Sequence, residues 1–145
     1  MNIPKPSEIN VYGSLDELCA LSVFLGKTVD DAEALFRDNS MHCAELLVHM
    51  GPRARLYYVE AYLRYLASSS SRDDPGAASG LPSVVDALIE SGVNLDSIRP
   101  ALGEALQRIN AEFARYAPDR MTQRIYRHVP REARGALRRL YAKSG

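Results

Sequence analysis

The 145-residue sequence lacks long apolar runs, strand-like alternation and all but two cysteines. No stretch approaches the roughly 18 apolar residues that a transmembrane helix needs, so we predict no membrane span. Residues 1–10 contain two prolines and no apolar run, which argues against a secretory signal. A chain of this length can bury enough surface to fold without a disulfide or a metal. We expect a soluble cytoplasmic protein.

Strand signals are missing: no convincing segment alternates apolar and polar residues with many valines, isoleucines or threonines. Helix signals recur instead, as caps followed by apolar residues at three- and four-residue spacing. We therefore predict an all-α fold, a single compact domain of six to eight helices over residues 1–145. A weak helix-proline-helix pattern at residues 49–58 and 128–137 hints at stacked helical hairpins of the HEAT type.

The first predicted helix begins after Ser14, which forms a capping box with Glu17, and ends at Gly26. Its apolar residues recur on one side, and we expect that side to face the core. These residues are Leu15, Leu18, Cys19, Ser22 and Leu25. Cys19 and Cys43 are accordingly predicted to be packed thiols, with a disulfide between them as the open alternative.

Residues 68–80, with the sequence SSSSRDDPGAASG, form the only low-complexity stretch. Their serine, proline and glycine content predicts a long mobile loop within the single domain. The next helix is expected to begin at Pro82, because proline suits the first turn of a helix.

The predicted helix from Pro52 to about Ala67 places Tyr58, Tyr62 and Tyr65 on a line beside its core-facing side. Tyrosine offers a large rigid surface with a polar tip and is enriched at binding hot spots. The three tyrosines are therefore candidate partner-binding residues. The alternative is that a neighbouring helix covers them and that their hydroxyls reach backbone groups.

Charge is distributed unevenly, although the formal net charge is zero. Residues 1–51 carry three cations and eight anions, a net charge of −5. Residues 119–145 carry eight cations, including Lys143, and two anions, a net charge of +6. Such polarity can steer charged partners, or it can be neutralised when the two ends meet within one molecule or across a homodimer.

Six arginines of the basic segment recur at steps of 4, 3, 4, 3 and 4 residues, so on one helix they fall within about forty degrees of a line. We call them the arginine stripe. They are Arg120, Arg124, Arg127, Arg131, Arg134 and Arg138. Three interpretations stay open: a solvated helix face, a site for a nucleic-acid backbone, and a surface for an acidic protein partner. The acidic N-terminal part disfavours nucleic acid, because it would repel phosphates.

Seven apolar residues lie opposite the stripe on the helical wheel, so we expect the C-terminal segment to dock through them and to expose its arginines. Asp119 is a good cap for this segment, and Pro130 must kink or restart it. The seven residues are Met121, Ile125, Val129, Ala133, Ala136, Leu137 and Leu140.

Signals for catalysis are weak. The sequence FLGKT at residues 24–28 resembles the end of a phosphate-binding loop, but Leu21 stands where that motif needs a glycine, and no strand is predicted before it. Neither cysteine has a histidine in a recognised nucleophile signature. We predict no catalytic residue and no cofactor.

Three potential metal ligands, His42, Glu45 and His49, share one face of a predicted helix. They could hold zinc only with a further ligand from elsewhere, because structural zinc takes four. A polar helix face is the alternative, and we predict no metal site.

Residues 24–66 resemble a block found in a family of short, poorly characterised bacterial proteins. The resemblance covers about a third of the chain and implies a helical fold with no enzymatic activity. The matching residues are Phe24, Leu25, Gly26, Lys27, Glu33, Ala34, Leu35, Phe36, Gly51, Pro52, Tyr57, Tyr58, Ala61, Tyr65 and Leu66. Compact helical proteins of this kind are similar in class to immunity proteins, which neutralise antibacterial toxins by binding them.

Our first hypothesis is a non-catalytic protein of the immunity or inhibitor type, which neutralises a protein partner such as a bacterial toxin by direct binding. The tyrosines and the arginine stripe would form its binding surface. The alternative hypothesis is a protein that binds nucleic acid or a phosphate ligand through the arginine stripe.

Overall fold

The computed structural model describes residues 1–142, and Lys143 of the basic segment lies outside them. Residues 1–142 contain nine α-helices, one 3-10 turn at Ser69–Ser71 and no strand, which confirms the all-α prediction. The number of helices in this range exceeds the predicted six to eight by one, and three of them have only four to six residues. The helices are α1 (Pro6–Ile9), α2 (Leu15–Phe24), α3 (Val29–His49), α4 (Pro52–Ala67), α5 (Pro75–Glu90), α6 (Arg99–Ala111), α7 (Phe113–Tyr116), α8 (Arg120–Ile125) and α9 (Val129–Leu140).

The longer helices form two rows in one domain. In the first row, α3 packs between α2 and α5, and α5 packs between α3 and α9. In the second row, α4 packs against α3 and contacts α1 and α6, while α6 packs against α9. The outer helices of the first row are therefore α2 and α9. No helix in the described part of the chain is long and apolar enough to cross a bilayer.

An aromatic cluster fills the core where α2, α3 and α4 meet. The rings of Phe24 and Tyr58 lie 4.8 Å apart between centroids, and those of Phe36 and Tyr62 stack at the same distance. All four side chains are fully buried. Aromatic pairs of this kind contribute about 0.5–1.5 kcal/mol beyond the burial of their area. The cluster holds the inner side of α2 against the rest of the domain.

The corner between α3 and α4 depends on Gly51. Its amide donates to the carbonyl of Ile9 at 2.9 Å, and a Cβ at this position would lie 2.0 Å from the carbonyl oxygen of Glu8. No side chain fits there. Pro52 then opens α4 as the first residue of the helix.

The predicted loop at residues 68–80 is wrong in its second half, because α5 begins at Pro75 rather than at Pro82. Small residues in the first turns of α5 allow it to approach α3 closely. A Cβ on Gly80 would lie 2.9 Å from the Cβ of Ala44. The glycine and alanine content that suggested a loop therefore serves close helix packing.

The start of α5 is fixed by a polar network around Asp74. The carboxylate accepts a hydrogen bond from the amide of Ala77 at 3.2 Å, which caps the helix. It also accepts hydrogen bonds from the hydroxyls of Ser40 at 2.7 Å and Tyr65 at 2.6 Å. One aspartate thus ties α3 and α4 to the N-terminus of α5.

Candidate partner-binding surfaces

The tyrosine line of α4 lies in the interior, so the prediction that it docks a partner is wrong. Tyr58 and Tyr62 have no exposed surface, and Tyr65 is 3% exposed. The hydroxyl of Tyr58 donates to the carbonyls of Phe24 and Lys27, both at 2.8 Å, and that of Tyr62 donates to the carbonyl of Ala77. Burial raises the pKa of Tyr58 to about 12. The alternative interpretation, tyrosines covered by neighbouring helices, is confirmed.

The tyrosines are buried because α4 has neighbours on several sides. It contacts α1, α3, α5 and α6, so a line beside the core-facing side is also covered. The periodicity of one helix shows which residues share a face, and it does not show how many neighbours that helix has.

The arginine stripe is exposed along α9. The side chains of Arg131, Arg134 and Arg138 face solvent. The opposite side of α9 is buried against α5 and α6, as predicted for Val129, Ala133, Ala136 and Leu140. The prediction that the segment docks through its apolar side and exposes its arginines is therefore confirmed for α9.

In α8, by contrast, the apolar residues predicted to dock are exposed. Met121 is 73% exposed and Ile125 is 64% exposed, and none of the six residues of α8 is buried. The prediction that both residues dock is therefore wrong. Pro130 is the cause, because it cannot donate to residue 126 and clashes with that turn, so the helix ends at Ile125 and restarts at Val129. Arg120 and Arg124 stay exposed on α8, and Arg127 lies exposed in the turn.

The arginine stripe carries positive charge that no acidic side chain of residues 1–142 pairs with. Within residues 1–142, none of the six arginines forms a salt bridge. Arg134 donates to the side-chain oxygen of Asn110 at 2.8 Å, which is a neutral partner. By contrast, Arg139 on the flank of α9 pairs with Asp86 of α5 at 2.8 Å. We call the six arginines of the stripe, which lie on α8, in the turn and on α9, the basic surface.

A second surface was missed by the sequence pattern, because α2 has the opposite orientation to the predicted one. Leu15 is 77% exposed, and Leu18 and Leu25 are 47% and 48% exposed. Cys19 and Ser22 between them are also exposed, so Cys19 is not a packed thiol. We call these five residues the outer face of α2. The buried side of the helix is formed by Glu17, Ala20 and Phe24.

Glu17 explains this orientation. Its carboxylate accepts hydrogen bonds from the amides of Val11 at 2.7 Å, Tyr12 at 3.1 Å and Ser14 at 3.2 Å, and from the hydroxyl of Ser14 at 2.8 Å. Burial alone would raise the pKa of Glu17, but these hydrogen bonds outweigh it and lower the pKa to about 2. A glutamate that would normally mark a solvent-facing side here organises the preceding loop, and its side of α2 turns inward.

The potential metal ligands do not form a cluster. His42, Glu45 and His49 are all exposed, and His49 Nδ1 lies 3.7 Å from a carboxylate oxygen of Asp16. The described residues contain no group of three or more histidine, cysteine or acidic side chains placed to hold a metal ion. Cys43, 3% exposed, is a free thiol whose burial raises its pKa to about 11.

The phosphate-loop resemblance at residues 24–28 has a structural explanation. Gly26 adopts a φ of +71° after the end of α2, and the hydroxyl of Thr28 accepts a hydrogen bond from the amide of Asp31 at 3.1 Å. Gly26 therefore ends one helix, as the sequence predicted, and Thr28 caps the next.

Arg55 is a buried residue that sequence reasoning did not identify. Its guanidinium donates to the carbonyls of Leu47 at 2.7 Å and Met50 at 2.7 Å, and it also reaches the carbonyls of Val48 and Ala87. These carbonyls lie in the last turns of α3 and α5 or just after α3, where helices leave acceptors without partners. Arg55 is therefore occupied within the fold, where it connects α4 to the ends of α3 and α5.

A groove of about 500 Å³ lies between α4 and α6. Its apolar lining includes Leu56, Leu63, Ile98, Ala101 and Ala105. Two acidic and two basic side chains also line it, and they are Glu60, Arg64, Glu104 and Arg108. The balanced charges select no particular class of ligand.

No protein-family model, curated protein or solved structure matches this chain. The resemblance of residues 24–66 to short bacterial proteins stays a prediction. The geometry of the surfaces is therefore what bears on function.

Proposed function

We propose that this protein is a non-catalytic binding protein of the immunity or inhibitor type, which neutralises a protein partner by direct contact. The observation that carries the proposal is the basic surface of α8 and α9. Its six arginines form no salt bridge within the described residues. A partner with an acidic surface would supply the missing carboxylates.

Arginine suits this task, because its planar guanidinium can donate two parallel hydrogen bonds to one carboxylate. The α9 part of the surface is held in place by the buried Val129, Ala133 and Ala136 and by the pair between Arg139 and Asp86. On α9, binding would therefore order side chains only, which keeps its entropic cost low. Charge complementarity would mainly raise the association rate.

The class of partner rests on the sequence. Residues 24–66 resemble short bacterial proteins, and compact helical proteins of this kind are similar in class to immunity proteins, which bind toxins. A bacterial toxin as the partner and a cytoplasmic location are thus parts of the proposal. With the tyrosines in the interior, the apolar contribution to binding falls to exposed side chains near the arginines, such as Met121 and Ile125.

Nucleic acid is the second candidate, because unpaired arginines at helical spacing also fit a phosphate backbone. The acidic N-terminal part argues against it. Residues 1–51 carry a net charge of −5, which would repel a long polyanion lying across the molecule.

The test is affinity capture of the tagged full chain from lysate of its native cell, with and without nuclease. Three versions are compared: the wild type, the double variant Arg131→Glu with Arg138→Glu, and the control Arg72→Glu, an exposed arginine outside the basic surface. We expect one stoichiometric protein that survives nuclease with the wild type and the control and is lost with the double variant.

Retention of that protein by the double variant would contradict the proposal. Capture of nucleic acid that the double variant abolishes would favour the second candidate. Once the partner is in hand, Arg127→Glu is expected to slow association and to weaken its salt dependence, because fewer charges then steer the encounter.

A further inference from the structure

The outer face of α2 has the form of a helix-docking seam. Leu15, Leu18, Ser22 and Leu25 follow one another at steps of 3, 4 and 3 residues, the spacing at which one helix packs along another. The seam contains no charged residue, and Tyr12, 89% exposed, stands just before it. An outer helix that only faces solvent would normally carry charged or polar residues on this side.

The second unpartnered element is α8. Met121 and Ile125 lie four residues apart and therefore share one face of this short helix. Both are more than half exposed, and Arg120 and Arg124 lie on the same helix. This is an apolar ridge bordered by cations, and nothing in the described chain covers it.

The two elements are complementary in charge. Asp16 lies on the side of α2, and Asp30 and Asp31 follow Leu25 by five and six residues at the start of α3. All three acids are exposed. The segment that contains α2 has a net charge of −5, and the segment that contains α8 has a net charge of +6. An apolar seam with acidic surroundings thus fits an apolar ridge with basic surroundings.

The two elements do not meet within one molecule. The row of helices has α2 at one end, where it contacts α1 and α3, and α9 at the other end, where it contacts α5 and α6. The outer face of α2 and the ridge of α8 are exposed in the same structure.

We propose that the outer face of α2 binds α8 of a second copy of the chain, so that copies associate head to tail. The leucines contact Met121 and Ile125, and the arginines of α8 approach the acids around α2. This inference does not depend on the identity of any other partner, but a partner that covers Met121 and Ile125 would compete with the second copy for the same ridge. Since the two surfaces lie toward opposite ends of the row of helices, copies that associate end to end leave one free seam and one free ridge, and association continues to a ring or an open chain.

The experiment measures mass by sedimentation over a range of protein concentrations and salt. It uses the wild type, Leu18→Glu, Ile125→Glu and the control Ala34→Glu, which adds the same charge at an exposed site of α3. We expect the wild type and the control to grow beyond a dimer as concentration rises and to shrink as salt rises. Each of the other variants should weaken association by more than about tenfold, because it places a carboxylate in an apolar contact.

Mixing the two variants is the decisive step. Leu18→Glu keeps an intact α8 and Ile125→Glu keeps an intact seam, so a one-to-one mixture forms a dimer that grows no further. Association of Ile125→Glu alone at wild-type strength would overturn the proposal in favour of seam-to-seam pairing. A wild type that stays monomeric at every concentration would overturn it as well. Equal thermal unfolding of all four proteins shows that each is folded.

Discussion

The two outer helices of the first row, α2 and α9, present opposite kinds of surface. The outer side of α9 displays arginines, and its inner side is lined with alanine, valine and leucine. The outer side of α2 displays leucines, and its inner side includes a glutamate. An ordinary amphipathic helix explains α9, whereas α2 shows that one well-bonded carboxylate can reverse the side that a helix buries.

The largest expected difference in the free energy of unfolding is between substitutions on the two sides of α2. Phe24→Ala removes a fully buried ring that contacts Tyr58 and Phe36, and it should lower the free energy of unfolding by about 3–5 kcal/mol. Leu15→Ala on the outer face should change it by less than about 0.5 kcal/mol. Urea unfolding measures both. Similar losses from the two variants would mean that Leu15 is also a core residue.

The difference in the free energy of unfolding between substitutions on the two sides of α9 should be nearly as large. Ala136→Glu places an unpaired carboxylate on the buried side, and we expect a loss of about 3 kcal/mol in the free energy of unfolding. Arg138→Glu, two residues further along and exposed, should stay within about 0.5 kcal/mol of the wild type. If Ala136→Glu unfolded like the wild type, α9 would not dock through this side.

The third prediction concerns the pH dependence that Glu17 confers. Its pKa lies near 2 in the folded protein, below the ordinary value of 4.5, so its stabilising effect is complete above about pH 4.5 and is lost as the pH falls toward 2. Glu17→Gln should lower stability at pH 7, because a neutral amide cannot accept all the hydrogen bonds that the carboxylate accepts from Val11, Tyr12 and Ser14. The variant should also lose less stability than the wild type between pH 4.5 and 2.5. If urea unfolding showed that the stability of the wild type and that of Glu17→Gln change with pH in the same way, this role of Glu17 would be contradicted.

The smallest expected change in stability comes from removing Arg139, on the flank of α9. Arg139 makes two hydrogen bonds to the carboxylate of Asp86, at 2.8 and 3.2 Å, but both side chains are partly exposed. Arg139→Ala should therefore cost only about 0.2–1 kcal/mol, and less in high salt. Arg138→Ala, which removes an arginine of the stripe, should leave thermal unfolding unchanged. A larger cost for Arg138 would show that the stripe serves stability.

Sequence patterns predict local features, such as helix caps and a charged helix face, most reliably. The capping box at Ser14 and the exposed arginines of α9 are confirmed on that basis. The tyrosines of α4 were misplaced because that helix has neighbours on several sides. Periodicity within one helix contains no information about the number of neighbours.

Three other errors have causes that the periodicity of one helix does not show. Glu17 is buried because its carboxylate bonds to the loop before α2. Residues 75–80 are helical because Asp74 caps them and small side chains fit against α3. Met121 and Ile125 are exposed because Pro130 ends the helical path that would have carried them onto the core.

The contrast between α2 and α9 and the proposed head-to-tail contact both depend on the orientation of α2. The exposure of Cys19 measures that orientation directly. Cys19 lies on the outer face, whereas Cys43 is buried. The measurement is the rate at which a thiol reagent labels each cysteine in the folded protein, at a dilution where sedimentation shows monomers and with a denatured sample as the control. The account predicts rapid labelling of Cys19 and protection of Cys43. Equal protection of both thiols would contradict it, because α2 would then face its leucines toward the core.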